Sequence, residues 1–368
     1  MVPVDVAVSP AGTPPGTPPG PQEDPKTWLR DVYRWEVILR GPGNRGRAVA
    51  EDSQGRKSLH HQALHDQLCR GKPGHRRKRV YAYFGMNGLY CFSPDGDLLR
   101  VQTDLGAYET LNGWGTGASP VVSGDRVFVQ VDNEESSFLV ALDAATGEEI
   151  WRTERDEKTN YSTPFVWTNA ERTELFVGGK RARSYDPATG DLLWELQVDG
   201  FYNIPSPVAD REHIYFGNAS FRDTPAAFFA VKAGATGDLH PAGGAPGGDV
   251  LWSMENPPLM NPSPVMKDGL IYILGSRGGD LSCVDAATGE LVYQEKVDGV
   301  GACWASPWIN GDKLYFMDEK GKTQVVKTGR EFQWLGENTL EDTFWATVAV
   351  AGDAYLFRGS EKLYCIGI

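Results

Sequence analysis

Three observations predict an all-β fold, a β-propeller of four-stranded blades: a phrase whose turns recur 43 to 52 residues apart, four short strands in each period, and no helical pattern between them. The phrase closes on a strand ending in Asp, a turn containing Thr-Gly and a strand bearing an aromatic residue. Its copies are Ala141 to Trp151 (ALDAATGEEIW), Ser184 to Trp194 (SYDPATGDLLW) and Cys283 to Tyr293 (CVDAATGELVY), with a looser one at Thr236-Gly237. The 368 residues fit seven or eight such blades if the array is complete. With 43 Gly, 24 Pro and 11 Trp, the chain is rich in tight-turn residues and in large buried anchors.

The elements follow in chain order. Residues 1–32, with GTPPGTPPGP, cannot bury enough apolar surface to fold alone and read as a disordered Pro/Gly-rich leader or a truncated start. They show neither the basic n-region nor the apolar h-region of a signal peptide, and no stretch is long enough to cross a bilayer. The propeller is expected over 33–368. Tyr33 to Leu39 is a candidate strand to complete the last blade, because Ala346 to Ile368 supplies only three strands, ending KLYCIGI.

Between 41 and 79 the pattern vanishes into an anomalous basic segment that holds four of the six histidines, so the first blade is expected to be damaged or displaced. Two readings stay open. One is a genuine basic insertion or partner-binding loop. The other is a stretch read in a shifted frame, since suitable codons for 51–79 place a blade opening and a turn in a neighbouring frame. His61, His65 and Cys69 fall at i, i+4 and i+8, a spacing that could serve Zn²⁺, but no fourth ligand accompanies them and they read as a solvated or spurious run, not as a metal site.

Val80 to Leu99 reads as blade strands closed by the Asp95-Gly96 turn. Later blades open on a Ser/Thr-Pro step: Ser119-Pro120, Thr163-Pro164, Ser206-Pro207, Ser263-Pro264 and Ser306-Pro307. A polar turn and a β-branched or aromatic run follow, as with Asp268-Gly269 before Leu270-Ile271-Tyr272. Gly147, Gly190 and Gly289 share one turn position that calls for positive φ, and the Asp ahead of each can accept backbone N–H groups.

The formal charge of −13 repels a phosphate backbone and excludes general nucleic-acid binding. Five scattered cysteines cannot all pair within one chain. No G-x-S-x-G, H-E-x-x-H or phosphate-binding loop occurs.

The phrase A-x-D-x-x-T-G-x-x-x-W, with Ser-Pro opening the next blade, resembles the pyrroloquinoline-quinone (PQQ)-like repeat over about Val80 to Ile368. The overall phrasing is most similar to bacterial PQQ-binding-like β-propeller proteins, and the lipoprotein of the outer-membrane barrel-assembly machine is a related propeller. The resemblance implies one of two functions. Quinoprotein dehydrogenases hold PQQ and Ca²⁺ on the axis with a vicinal Cys-Cys pair, whereas other members are non-catalytic. No two cysteines here are adjacent and no acidic cluster marks a Ca²⁺ site, so no cofactor is expected and the PQQ/Ca²⁺ dehydrogenase is the alternative. The resemblance implies a periplasmic or secreted protein, which the leader does not support, so the compartment stays open.

Trp151, Trp194, Trp252 and Tyr293 are expected to pack between blades, with each indole N–H satisfied by backbone. The candidate binding residues precede the blade openings and would ring the channel mouth: Asn160, Tyr161, Asn203, Asn261, Trp304, Phe344 and Trp345. Aromatics mixed with amides suit stacking plus hydrogen bonding, and the competing reading is that they plug the channel. The sequence thus points to a monomeric, non-enzymatic scaffold for a protein or small ligand, acting through this rim or through blade edges that accept an added strand. A carbohydrate-binding propeller is a further alternative.

Overall fold

The computed structural model describes residues 34–41, 44–51 and 79–368, apart from 95, 107, 199, 201–202, 220–226, 240–246, 352–353 and 368. The leader and most of the 41–79 segment, with His61, His65 and Cys69, lie outside the described residues.

The described chain forms seven blades. The first holds three strands, β3 (Val80–Tyr83), β4 (Leu89–Phe92) and β5 (Leu98–Gln102); the second has β6 (Val121–Ser123), β7 (Arg126–Val131), β8 (Ser137–Asp143) and β9 (Glu149–Arg155). The third has β10 (Phe165–Thr168), β11 (Thr173–Val177), β12 (Arg181–Tyr185) and β13 (Leu192–Gln197). The fourth has β14 (Val208–Ala209), β15 (His213–Gly217), β16 (Ala227–Lys232) and β18 (Val250–Glu255). The fifth has β19 (Val265–Lys267), β20 (Leu270–Leu274), β21 (Asp280–Asp285) and β22 (Leu291–Lys296). The sixth has β23 (Trp308–Asn310), β24 (Lys313–Met317), β25 (Lys322–Lys327) and β26 (Trp334–Thr339); the seventh has β27 (Ala349–Ala351), β28 (Ala354–Arg358) and β29 (Leu363–Gly367). The strands of each blade pair antiparallel in chain order, so in the four-stranded blades the first strand lines the axis and the fourth faces out.

The first and last blades are incomplete among the described residues. The first lacks the inner strand that the 41–79 segment should supply, as the interrupted pattern suggests, and the seventh ends at its third strand. The expected completion by Tyr33 to Leu39 is not what forms. Instead β1 (Arg34–Gly41) pairs with β2 (Asn44–Glu51) in a separate two-stranded sheet, with Gly41 opposite Asn44. Two intervening residues close this hairpin at little loop entropy, whereas pairing with β29 must bring together segments separated by almost the whole chain.

The Thr-Gly turns behave as their chemistry requires. Asp143 Oδ1 accepts the N–H groups of Ala145 and Thr146 at 2.8 and 2.7 Å, and Asp285 Oδ1 accepts those of Ala287 and Thr288. Gly147, Gly190 and Gly289 take φ of +78°, +80° and +74°. They meet a second constraint that sequence reading does not show: each lies under a side chain of the preceding blade. A Cβ on Gly190 would stand 2.6 Å from the Trp151 ring, and one on Gly289 would stand 2.6 Å from Trp252. At Gly147 the preceding blade offers Arg100 in place of an indole.

Hydrophobic clusters join successive blades. Trp151 packs with Phe128 and Tyr185 between the second and third, Trp194 with Phe176 and Phe216 between the third and fourth, and Trp252 with Tyr215 and Ile271 between the fourth and fifth. The indole N–H of Trp151 reaches Pro187 O at 3.2 Å and that of Trp252 reaches Ala286 O at 2.9 Å, both backbone acceptors of the next blade. Trp194 differs from expectation. Its N–H goes to the Glu174 carboxylate of its own blade at 2.7 Å. The fourth blade replaces its turn by a longer connection, in which β17 (Gly237–Asp238) lies parallel on β13, and the buried Glu174 takes over as acceptor.

Candidate functional site

The blade openings are tied to one another around the axis. The N–H of Ser119 donates to Thr163 Oγ1 at 3.1 Å, that of Ser206 to Ser263 Oγ at 2.9 Å, that of Ser263 to Ser306 Oγ at 2.9 Å, and that of Ser306 to Thr347 Oγ1 at 3.0 Å. Pro follows Thr163, Ser263 and Ser306, but Val348 follows Thr347, so the hydroxyl accepts its neighbour's backbone N–H with or without the Pro. These bonds, with Tyr161 N–H to Asn203 O at 2.9 Å between the third and fourth blades, set the preceding residues of the second to seventh blades side by side at one end of the propeller.

Those residues fall into two groups. Asn160 is buried; its Nδ2 donates to Asp132 Oδ2 at 3.1 Å and Gly178 O at 2.7 Å, while its Oδ1 accepts Ser162 N–H at 3.0 Å. Asn203 is buried as well, accepting Tyr161 N–H on its carbonyl at 2.9 Å, and its Nδ2 has no hydrogen-bond partner among the described residues. Phe344 is buried against Phe357 and Tyr364 in the seventh blade. Tyr161 is half-buried, with its ring 3.0 Å from where a Cβ on Gly117 would stand, and Asn261 is half-buried. Trp304 and Trp345 stand out, at 46% and 45% exposure. The amides therefore stand where the third, fourth and fifth blades open and the exposed indoles where the sixth and seventh open, so the rim has two unlike sides.

Sequence reading missed the charged core beneath the amide side. Arg155, at the end of β9, is fully buried with Asp132: Nε meets Oδ1 at 2.9 Å and Nη2 meets Oδ2 at 3.2 Å. Its remaining N–H groups reach Tyr185 Oη at 2.7 Å and Gly178 O at 3.0 Å in the third blade. Beside it, Glu157 accepts the backbone N–H groups of Lys180 and Arg181, each at 2.9 Å, and burial pushes its carboxyl above the usual range against the pull of Arg155. Nothing in the spacing of these residues marks them, since the partners come from loops of two blades. Glu319, which binds Trp304 as set out below, was missed for the same reason.

Two of the buried thiols are held in the protonated form. Burial pushes Cys283 up to about 11 and Cys303, next to Trp304, up to about 12, so both stay protonated at neutral pH. Among the described residues, no group of three or more His, Cys, Asp or Glu side chains is placed to hold a metal ion.

Comparison with known proteins gives a consistent picture. A family profile described as outer membrane protein assembly factor BamB matches residues 44–231 and 238–366. Outer membrane protein assembly factor BamB of Yersinia pestis is 22% identical over 292 residues, which span 67% of this chain and 72% of that protein. Among solved structures, BamB from Moraxella catarrhalis superposes with a TM-score of 0.58 at 13% identity, covering 78% of this chain and 80% of that one. The computationally designed Ika8 protein gives 0.57 at 13% identity, covering 90% and 93%. At such identity the structural likeness speaks for the fold alone.

Proposed function

The chain belongs to the family described as outer membrane protein assembly factor BamB, and from that premise we propose that it is a non-enzymatic scaffold that binds a partner protein at its channel mouth. The observation that carries this reading is the run of hydroxyl-to-backbone bonds that joins the second blade to the third and the fourth through to the seventh, with Tyr161 N–H to Asn203 O bridging the third and fourth, because it holds the loops of these six blades as one surface instead of separate tips. A rigid surface loses little conformational entropy on binding. The half-exposed indoles of Trp304 and Trp345, with the half-buried Tyr161 and Asn261, give it the aromatic and polar character of a recognition surface, while Asn160, Asn203 and Phe344 are buried beneath it. The printed names of the relatives point to a partner engaged in outer membrane protein assembly, and hence to the compartment where that assembly takes place. Among the described residues no helix is long and apolar enough to cross a membrane.

Site-specific photo-crosslinking in the native cell tests the proposal. A benzophenone side chain placed at Tyr161 or Asn261 should give one discrete protein adduct. The same group at Thr288, in a turn on the opposite face, should give none. Adducts of equal yield at all three positions, or none at the rim, would remove the rim as the binding surface.

A further inference from the structure

We infer that Trp304, Glu319 and Trp345 form a platform on the rim that takes an arginine or lysine side chain from an extended segment of the partner. This deepens the scaffold reading above and rests on it. Trp304 stands two residues before Ser306 and Trp345 two before Thr347, so they are the same position in consecutive blades, joined by the Ser306 N–H to Thr347 Oγ1 bond of 3.0 Å. Glu319, in the turn between β24 and β25, is bonded to both loops. Its carboxylate accepts the Trp304 indole N–H at 3.0 Å, its backbone N–H donates to Ala302 O at 2.7 Å, and its backbone carbonyl accepts Phe344 N–H at 3.0 Å. One acidic residue thus anchors the loops that carry both indoles.

The consequence for recognition follows from what is left to offer. Because the Trp304 N–H is already donated to Glu319, a ligand meets chiefly the ring face, which is the negative pole of the aromatic quadrupole. A cation over such a face is attracted, most strongly by Trp. The surrounding charge has the same preference. On the rim loops of the fifth to seventh blades that flank the indoles (275–279, 297–307, 318–321, 340–347 and 359–362), acidic residues outnumber basic ones six to three, or six to five with Lys296 and Lys322, whose ammonium groups lie against Gly278 and Gly299, within a chain of net charge −13. Two indoles and a carboxylate in an acidic field favour a basic side chain over an acidic or purely aliphatic one.

The test is an NMR titration of the full chain with ¹⁵N-labelled tryptophan, its signals assigned through Trp304→Phe and Trp345→Phe. The probe is the capped peptide acetyl-Gly-Arg-Gly-Arg-Gly-amide, with its Glu-for-Arg counterpart and chitohexaose as controls. The indole signals of Trp304 and Trp345 should move in a saturable way with the Arg peptide, and less at high salt, while those of Trp114 and Trp334, which are also exposed, stay put. Glu319→Gln, which keeps an acceptor for the indole but drops the charge, should weaken the response about threefold. Four results would overturn the platform: no movement, equal movement of Trp114 and Trp334, an equal response to the Glu peptide, or movement with chitohexaose alone. The crosslinking at Tyr161 and Asn261 reports on the rim without using either indole, so the scaffold reading can survive the loss of this one.

Discussion

Asp132→Ala is expected to be among the most destabilising single changes in the protein. The substitution leaves the Arg155 guanidinium in a site where both side chains of the pair are 0% exposed, with Tyr185 Oη and Gly178 O as its remaining acceptors. It also strips an acceptor from Asn160 and from Gln130, whose Nε2 donates to Asp132 at 3.0 Å. Removing one partner of a buried ion pair costs about 3–5 kcal/mol. With the slope for a chain of this size near the upper end of the urea range, about 3 kcal/mol per molar, the unfolding midpoint should fall by roughly 1 to 1.7 M. Tryptophan fluorescence in urea reads this directly. The Asp132→Ala, Arg155→Ala double variant should lose less than the sum of the single variants, because it no longer buries an uncompensated charge. A shift under about 0.3 M for Asp132→Ala, or strict additivity in the double variant, would refute the view that this pair is dry and mutually dependent.

Other consequences can be checked separately. Gly190→Ala should cost more than Gly124→Ala in urea unfolding, though both carry positive φ (+80° and +61°), because only Gly190 has a ring at 2.6 Å from the new Cβ while Gly124 has nothing within 4 Å; the backbone alone accounts for about 1 kcal/mol in each, and the clash should add a further ~1–3. Asp285 is held below the usual carboxylate range by its hydrogen bond from Arg330, against burial, so it stabilises the fold above the ordinary carboxylate pKa and loses that contribution as pH falls through the lowered value. Melting curves from neutral to acid pH should therefore show the gap between wild type and Asp285→Asn closing on the acid side, and a gap independent of pH would contradict the assignment. Glu157 runs the other way: its raised value means that folding gains as the group protonates and loses as pH rises through it, so Glu157→Gln should remove a stability loss on the neutral side of the carboxylate range. Calorimetric titration with PQQ and Ca²⁺ should give no saturable heat if the scaffold reading is right.

How far the sequence could carry this picture depends on where each interaction lies along the chain. Blade strands and turns were legible because their determinants are local: an Asp, a Thr and a Gly within five residues set a turn, and alternating apolar residues set the strand after it. The equivalent places of Trp304 and Trp345, two residues before Ser306 and Thr347, could be read from their fixed distance to the opening residues, since periodicity transfers position from blade to blade. It does not transfer environment. Phe344 directly precedes Trp345 yet is buried, and Asn160 is committed to Asp132 and Gly178, which lie in other turns. Arg155, Asp132 and Tyr185 come from three strands or loops of two blades, and no spacing rule links them. The pairing of β1 with β2 was missed because the expected strand was matched to the blade that lacked one, not to its own neighbour across Pro42-Gly43.

The seating of each turn glycine beneath a side chain of the preceding blade also makes the blades individually addressed parts. The second, third and fifth blades each carry such a socket for a plug from the blade before, and the sockets are not all of one gauge. Trp151 and Trp252 fill the sockets at Gly190 and Gly289, but the socket at Gly147 receives Arg100, whose Nη1 donates to Ala145 O at 3.0 Å. A shuffled chain that put the third blade directly after the first would offer a guanidinium to a cavity shaped for an indole. Recombination or design with these modules therefore has to cut within blades, keeping every plug with its own socket, and not at the connections between them.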